Sequence, residues 1–255
     1  MASLFDPKLR AMRRDRAARV GPELFLLDRE YDECLERIAL AGRTFERALL
    51  IGCPGRDWPS RLKTVASHVE VRDPGPLFAE AAGGTIIVED AWEPPVERYD
   101  LVLSVGTLDT VDGLPLALRS VRQAMRADGL FIGAMSGADT LPRLREAMRA
   151  ADATADGAAP HVHPRIEASA LAPLLASAGF VIPVVDVERV PVAYRSFDRL
   201  VGDLRAMAAN NLLRDRPRPL TRQARDAAIR AFSDDDGRTV ETFEILHFAA
   251  WTAAG

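Results

Sequence analysis

The 255-residue chain has only two cysteines, Cys34 and Cys53, in dissimilar surroundings and without paired spacing. Their scarcity argues against a disulfide framework or a thiolate zinc site and suits a reducing cytoplasm, the expected location. No excess of basic residues is present either. With 33 Lys and Arg against 37 Asp and Glu, the net charge is -4, so a nucleic-acid phosphate backbone is not expected as a partner. Long apolar runs are also missing. The most apolar stretch, Leu171 to Val185, is broken by Pro173, Gly179 and Pro183, and no membrane span is expected. The start, Met1 to Arg19, is rich in Arg, but Asp6 and Asp15 interrupt it and no apolar signal core follows; it does not read as a secretion signal.

What is present suits one large α/β domain over residues 1–255. An apolar share of 48% beside 27% charged residues is enough to fill a core and cover a surface. Leu24, Leu27, Tyr31, Leu35 and Ile38 recur at helical spacing, and a shorter helix is expected around Leu4 to Met12. Residues 1–44 are therefore expected to form a helical cap ahead of a sheet core over 45–255. Ala48 to Ile51, His68 to Val71, Thr85 to Val88, Leu101 to Val105 and Leu130 to Met135 are short apolar runs, spaced for parallel strands with crossover helices. The clearest helix is Leu114 to Arg126, with Leu114, Leu118, Val121 and Met125 as its buried stripe and Asp128-Gly129 as its stop. Helical patterns around Leu141 to Ala151, Ala170 to Ala178 and Phe197 to Met207 flank a β-rich run from Ile182 to Tyr194, and Phe243 to Trp251 reads as a last strand. Arg214 to Arg222, basic and rich in proline, reads as an exposed connection. Such alternation implies a doubly wound sheet that binds ligands outside the carboxyl ends of its strands, where the strand order reverses.

Three strand ends carry candidate chemistry. The turn Gly52-Cys53-Pro54-Gly55 follows the first strand; its glycines allow close backbone approach to a ligand, and helix-start amides attract anions. Pro54 lacks an N–H, however, and Arg56 adds bulk, so a plain tight turn is an equal alternative. Asp73 follows about twenty residues later, the spacing at which an acid reaches ribose hydroxyls; otherwise it is a turn residue before Pro74-Gly75. After the third strand comes Glu89-Asp90-Ala91, where Asp90 and the Ala91 amide suit an adenine ring.

This order resembles the class I S-adenosylmethionine-dependent methyltransferases, and more closely the complex I assembly factor 5 family and the related malonyl-carrier-protein methyltransferases. The resemblance spans nearly the whole chain. It is carried by Phe5-Asp6 with Arg14-Asp15-Arg16-Ala17-Ala18, by Tyr99 to Ser104, by Pro160 to Pro164, by Thr242 to Leu246 and, most specifically, by Gly133 to Leu141 and Asp203 to Asn211. It implies a Rossmann-like fold with a mostly parallel seven-stranded sheet, the last strand antiparallel at its edge, and N-terminal helices closing over the cofactor. It also implies S-adenosylmethionine at Gly52, Cys53, Gly55, Asp73, Asp90, Ala91 and Ser104. The chain departs from the family at its shortened glycine loop and at Asp109-Thr110, where members usually carry His-Trp.

Methyl transfer needs alignment more than protein chemistry, so no catalytic residue is assigned; Asp109 and Asp112 are candidates set against solvated loop carboxylates. His161 and His163 lack the companions of a metal site, and Asp234 to Arg238 lacks the ligand spacing of a calcium loop. Trp58 and Trp92 suit either adenine stacking or rim packing. The basic start, including Lys8, Arg10, Arg13, Arg14 and Arg16, suits either a solvated helix or an acidic partner. The expected function is adenosylmethionine-dependent transfer to a small molecule, a carrier or a protein, or, as the resemblance implies, hydroxylation of an arginine, with a respiratory complex I subunit among the expected partners. The alternative is a cofactor-deficient relative that serves as an assembly or binding factor. An NAD-binding oxidoreductase is disfavoured because three-glycine spacing is lacking.

Overall fold

The computed structural model describes residues 3–154, 157–217, 219–234 and 237–255. Two N-terminal helices, α1 (Pro7–Val20) and α2 (Phe25–Leu40), precede the sheet. The first is longer than its sequence pattern suggests, because Asp6 caps it by accepting from the Leu9 amide at 3.0 Å and Pro7 starts it with a preset φ.

The strands are β1 (Phe45–Ile51), β2 (Ala66–Asp73), β3 (Thr85–Ile86), β4 (Tyr99–Val105), β5 (Met125–Ser136), β6 (Val181–Tyr194) and β7 (Thr239–Trp251). They form one sheet in the order β3-β2-β1-β4-β5-β7-β6. β1, β2, β3, β4 and β5 run parallel, while β7 is antiparallel to both its neighbours, β5 and β6. The expected fold class therefore stands, but β7 lies inside the sheet and β6 forms the edge. β1 and β4 sit side by side where the chain order reverses, so their carboxyl ends open the crevice of this fold.

Alternation along β1 shows how both faces are filled. Ala48 and Leu50 join one core with Tyr31 and Ile38 of α2, with Leu144 of α6 (Pro142–Asp152), with Leu200 of α8 (Phe197–Ala206) and with Phe232 of α9 (Arg222–Phe232). Leu49 and Ile51 join the other, against Leu118 and Val121 of α5 (Leu114–Ala124) and Leu171 and Leu175 of α7 (Ala168–Ser177). Burial on both sides explains why these strands read as continuous apolar runs.

Several boundaries differ from expectation. α5 ends at Ala124 and Met125 already pairs with Tyr99, so Asp128-Gly129 is an irregularity at the start of β5 and not a helix stop. There Asp128, not Gly129, takes the left-handed backbone, at φ 55°. β3 is only two residues long, since the chain turns away after Ile86 at the sheet edge. Helix α9 begins at Arg222, within the stretch expected to be a connection. No described helix is long and apolar enough to cross a membrane.

Candidate functional site

The glycine turn is held by the ends of the neighbouring strands. Gly52 has φ +82°, and its amide donates to Arg72 O at 2.8 Å. A Cβ there would collide with Val105 O and lie 2.5 Å from Thr107 Cγ2, so close packing of β1 on the β4 end already requires glycine. Gly55 makes room for the Trp58 indole, which a Cβ would strike. Trp58 is fully buried, stacks on Tyr31 at 4.3 Å between centroids, and donates from Nε1 to Asp28 at 2.8 Å. It is a packing residue behind the turn, whereas Arg56 is exposed.

Asp73 stands at the end of β2 beside this turn and is fully buried. Its Oδ1 accepts from Arg14 Nε at 2.7 Å and from the Gly75 amide at 2.6 Å; its Oδ2 accepts from Arg14 Nη2 at 2.6 Å and from the Cys53 amide at 2.7 Å. Four donors fill the acceptor sites of one carboxylate. Beside it, Glu89 receives Arg10 through both carboxylate oxygens, at 2.7 and 2.9 Å, and Arg10 also donates to Thr107 O at 2.6 Å. Burial opposes the charge on Arg10, but Glu89, Asp109 and Asp73 outweigh it and hold its pKa above the ordinary guanidinium value. Helix α1 thus inserts two guanidiniums, one turn apart, between the carboxyl ends of β1, β2 and β4.

The other sequence-derived residues have local duties. Asp90 accepts from the Gly113 amide at 2.8 Å and so ties the start of α5. The Ala91 amide closes a turn onto Val88 O at 3.0 Å. Ser104 is buried, with its hydroxyl 3.4 Å from that of Thr107. Cys53 is buried and its thiol is pushed up to about 12, mainly by burial. Gly52, Cys53, Asp73 and Ser104 converge on the crevice; beside it Asp90 is tied to the start of α5 and Ala91 to a local turn. The neighbouring acid Glu89 occupies the inner position instead, buried against Arg10.

Deeper toward α2 the crevice ends in a cavity of about 70 Å³, lined among others by Arg10, Arg14, Glu30, Gly106, Asp109 and Arg165. Ligand sites usually enclose about 300–1,000 Å³. Arg10 and Arg14 occupy the positions next to both carboxylates in this structure. They leave Asp73 no free acceptor for ribose hydroxyls, and the space beyond holds little more than water.

Of the polar lining of that cavity, sequence reasoning missed Glu30 and Arg165. Glu30 is buried at helical spacing with Leu26, Cys34 and Ile38, and its Oε2 has no partner. Burial, then Asp109 and Glu188, push its carboxyl up to about 8, so it is largely protonated near neutrality. Arg165 donates to Asp109 at 3.3 Å. His163 is buried with both ring nitrogens unpartnered, and burial together with Arg165 pushes it down to about 3, so its ring is neutral. His161 is bound separately, to Asp152 at 2.7 Å. Asp112 accepts from the Leu4 and Phe5 amides, both at 2.8 Å, and anchors the segment ahead of α1. Trp92 is partly buried beneath Arg72. Among the described residues no three His, Cys, Asp or Glu side chains form a group able to hold a metal ion. Asp235 and Asp236, of the considered calcium loop, lie outside the described residues.

Comparison with known proteins bears on this geometry. Residues 25–183 match the family model described as a methyltransferase domain. The chain belongs to the methyltransferase-domain family. Over 98% of its length this family member is 32% identical to the rat protein named arginine-hydroxylase NDUFAF5, mitochondrial, covering 77% of that protein. Over 70% of its length it is 33% identical to a malonyl-[acyl-carrier protein] O-methyltransferase of Laribacter hongkongensis, covering 59% of that enzyme. Among solved structures, YcgJ of Bacillus subtilis aligns with a TM-score of 0.58 at 14% identity, over 88% of this chain and 100% of that one. NodS of Bradyrhizobium japonicum, solved with S-adenosylhomocysteine, aligns at 0.51 and 13% over 95% of this chain and 98% of that one. These two likenesses establish the fold alone.

Proposed function

We propose that this chain is a cofactor-free member of the methyltransferase family that works as a binding factor for a protein partner. The observation that carries the reading is the saturation of Asp73. Its carboxylate takes two donors from Arg14 and one each from the Cys53 and Gly75 amides, while Arg10 neutralises Glu89 beside it. Two desolvated, forked ion pairs are strong locks when intact, because withdrawing either guanidinium strands a buried carboxylate. A neutral ribose hydroxyl is a poor substitute for a guanidinium at such a site.

The resemblance of the sequence to the complex I assembly factor 5 family suggests the setting, a protein partner met during assembly of a respiratory complex, and the rat relative is named an arginine-hydroxylase. The open face next to α8 is then the working surface, and α1 is a structural plug. A second reading, adenosylmethionine-dependent transfer to a small molecule, carrier or protein, is favoured by the family match over residues 25–183. It requires α1 to withdraw Arg10 and Arg14 from the crevice.

Calorimetric titration of the full chain with S-adenosylmethionine and S-adenosylhomocysteine separates the two. The cofactor-free reading expects no saturable heat with either compound. Saturable binding of either one overturns it and restores the enzyme.

A further inference from the structure

A larger opening lies outside the plugged crevice. Between α6, α8 and the connecting residues 209–217 and 219–220 runs a groove of about 640 Å³. Its walls include Met148, Phe197, Val201 and Leu220, and its inner end reaches the buried, unpartnered His163. Arg13, Arg205 and Arg216 stand along this groove, and Arg13, Arg16 and Arg205 continue into an adjoining cleft.

These four arginines come from α1, α8 and the connection, and no salt bridge to a described carboxylate engages any of them. Two acids near them are engaged elsewhere: Asp6 caps α1, and Asp198, itself on the groove wall, holds Arg225 at 2.6 Å. Burial and the charges of Arg216, Arg205 and Arg16 hold Arg13 below the ordinary guanidinium range, consistent with an unrelieved cluster. In a chain of net charge -4, such a cluster is a local reversal of sign, and it focuses attraction on anions.

We propose that this groove docks an acidic, amphipathic segment of a partner protein, with its apolar side chains against Phe197 and Val201 and its carboxylates on Arg13, Arg16, Arg205 and Arg216. The inference adopts from the proposed function only that this face is the working surface. A small phosphate would not use a long apolar floor. A nucleic-acid strand would want a row of exposed stacking aromatics; among the described lining residues Phe197 stands on the wall, while His163 is buried at the inner end and His161 is held by Asp152. A membrane would meet a flat or convex face better than a concave one. An acidic segment uses both the depth and the rim charge.

The test is fluorescence anisotropy of the full chain with a labelled peptide in which Leu and Phe are spaced among Glu, beside a version with Lys replacing every Glu. Saturable, salt-sensitive binding of the Glu peptide is expected, weakened about tenfold or more by Arg205→Glu with Arg216→Glu. That variant is expected to bind the Lys peptide instead, and both changes are at exposed side chains, so unchanged thermal melting checks the fold. No binding of the Glu peptide overturns the proposal, as does binding that the double variant leaves intact. Displacement of the peptide by inorganic phosphate at comparable concentration, or preference for phosphatidylserine vesicles over the peptide, also overturns it. Adenosylmethionine binding would sink the cofactor-free reading and leave the peptide result standing; failure of the peptide leaves the calorimetry untouched.

Discussion

Arg14 and Asp73, separated by 59 residues in sequence, meet as a two-pronged ion pair at 2.7 and 2.6 Å with the carboxylate fully buried. The pair joins the N-terminal cap to the end of β2, the strand end whose acid the spacing marks for ribose hydroxyls. In this structure the acid read from spacing as a ligand residue is hydrogen-bonded within the protein's own interior.

Arg14→Leu is expected to lower stability by about 3–5 kcal/mol, since it leaves the Asp73 charge buried without its partner. Adding Asp73→Asn is expected to recover part of that loss, giving a coupling energy above about 1 kcal/mol in a double-mutant cycle. Urea unfolding of the four proteins measures it, and additive effects would mean that the pair does not form in solution.

At Gly52, substitution by Ala is expected to cost at least about 2 kcal/mol, because φ is +82° and the added methyl meets Val105 O and Thr107. Thermal melting checks this. Gly83, also at positive φ (+66°) but with open space around it, supplies the comparison: Gly83→Ala isolates the backbone contribution and is expected to cost less.

Glu30 makes stability fall with rising pH. Its folded pKa of about 8 lies above its ordinary value of 4.5, so between those values the unfolded chain has released a proton that the native protein keeps. Stability from this group is full below about pH 4.5 and is lost as pH rises through 8. Glu30→Gln is therefore expected to be near neutral at low pH and stabilising by up to about 5 kcal/mol above pH 8. Unfolding midpoints across that range decide it; parallel curves for the two proteins would refute the assignment.

His163 acts at the opposite limb. Its folded pKa of about 3 lies below the ordinary 6.5, so the unfolded chain takes up a proton first, and stability is lost as pH falls below 6.5. In His163→Gln the acid limb between pH 6.5 and 4 is expected to flatten, with little change at pH 8, as followed by the same unfolding measurements.

How much of this was legible in the sequence differs from element to element. β1 and β4 announce themselves because both faces of each are covered, which makes Leu49 to Ile51 and Leu101 to Val105 uninterrupted apolar runs. α9 escaped because its buried residues are mostly alanines, Ala224, Ala227 and Ala228, set among arginines. The convergence of Gly52 and Asp73 followed from strand order alone. The plug did not, because Arg10 and Arg14 sit with Ala17 on a buried helical face whose charges resemble a solvated one. Their carboxylate partners lie 79 and 59 residues away, and only the folded sheet brings them together. Glu30 was hidden in the same way, a carboxyl at a core position between Leu26 and Cys34.

The most direct measurement is NMR hydrogen exchange at the Cys53 and Gly75 amides and the Arg14 Nε–H, with and without excess S-adenosylmethionine. If Arg14 holds the crevice, all three protons are protected and neither their shifts nor their exchange rates respond to the compound. An Arg14 proton that becomes fast-exchanging as the Cys53 and Gly75 signals move would contradict the account, by showing a cofactor taking the guanidinium's place.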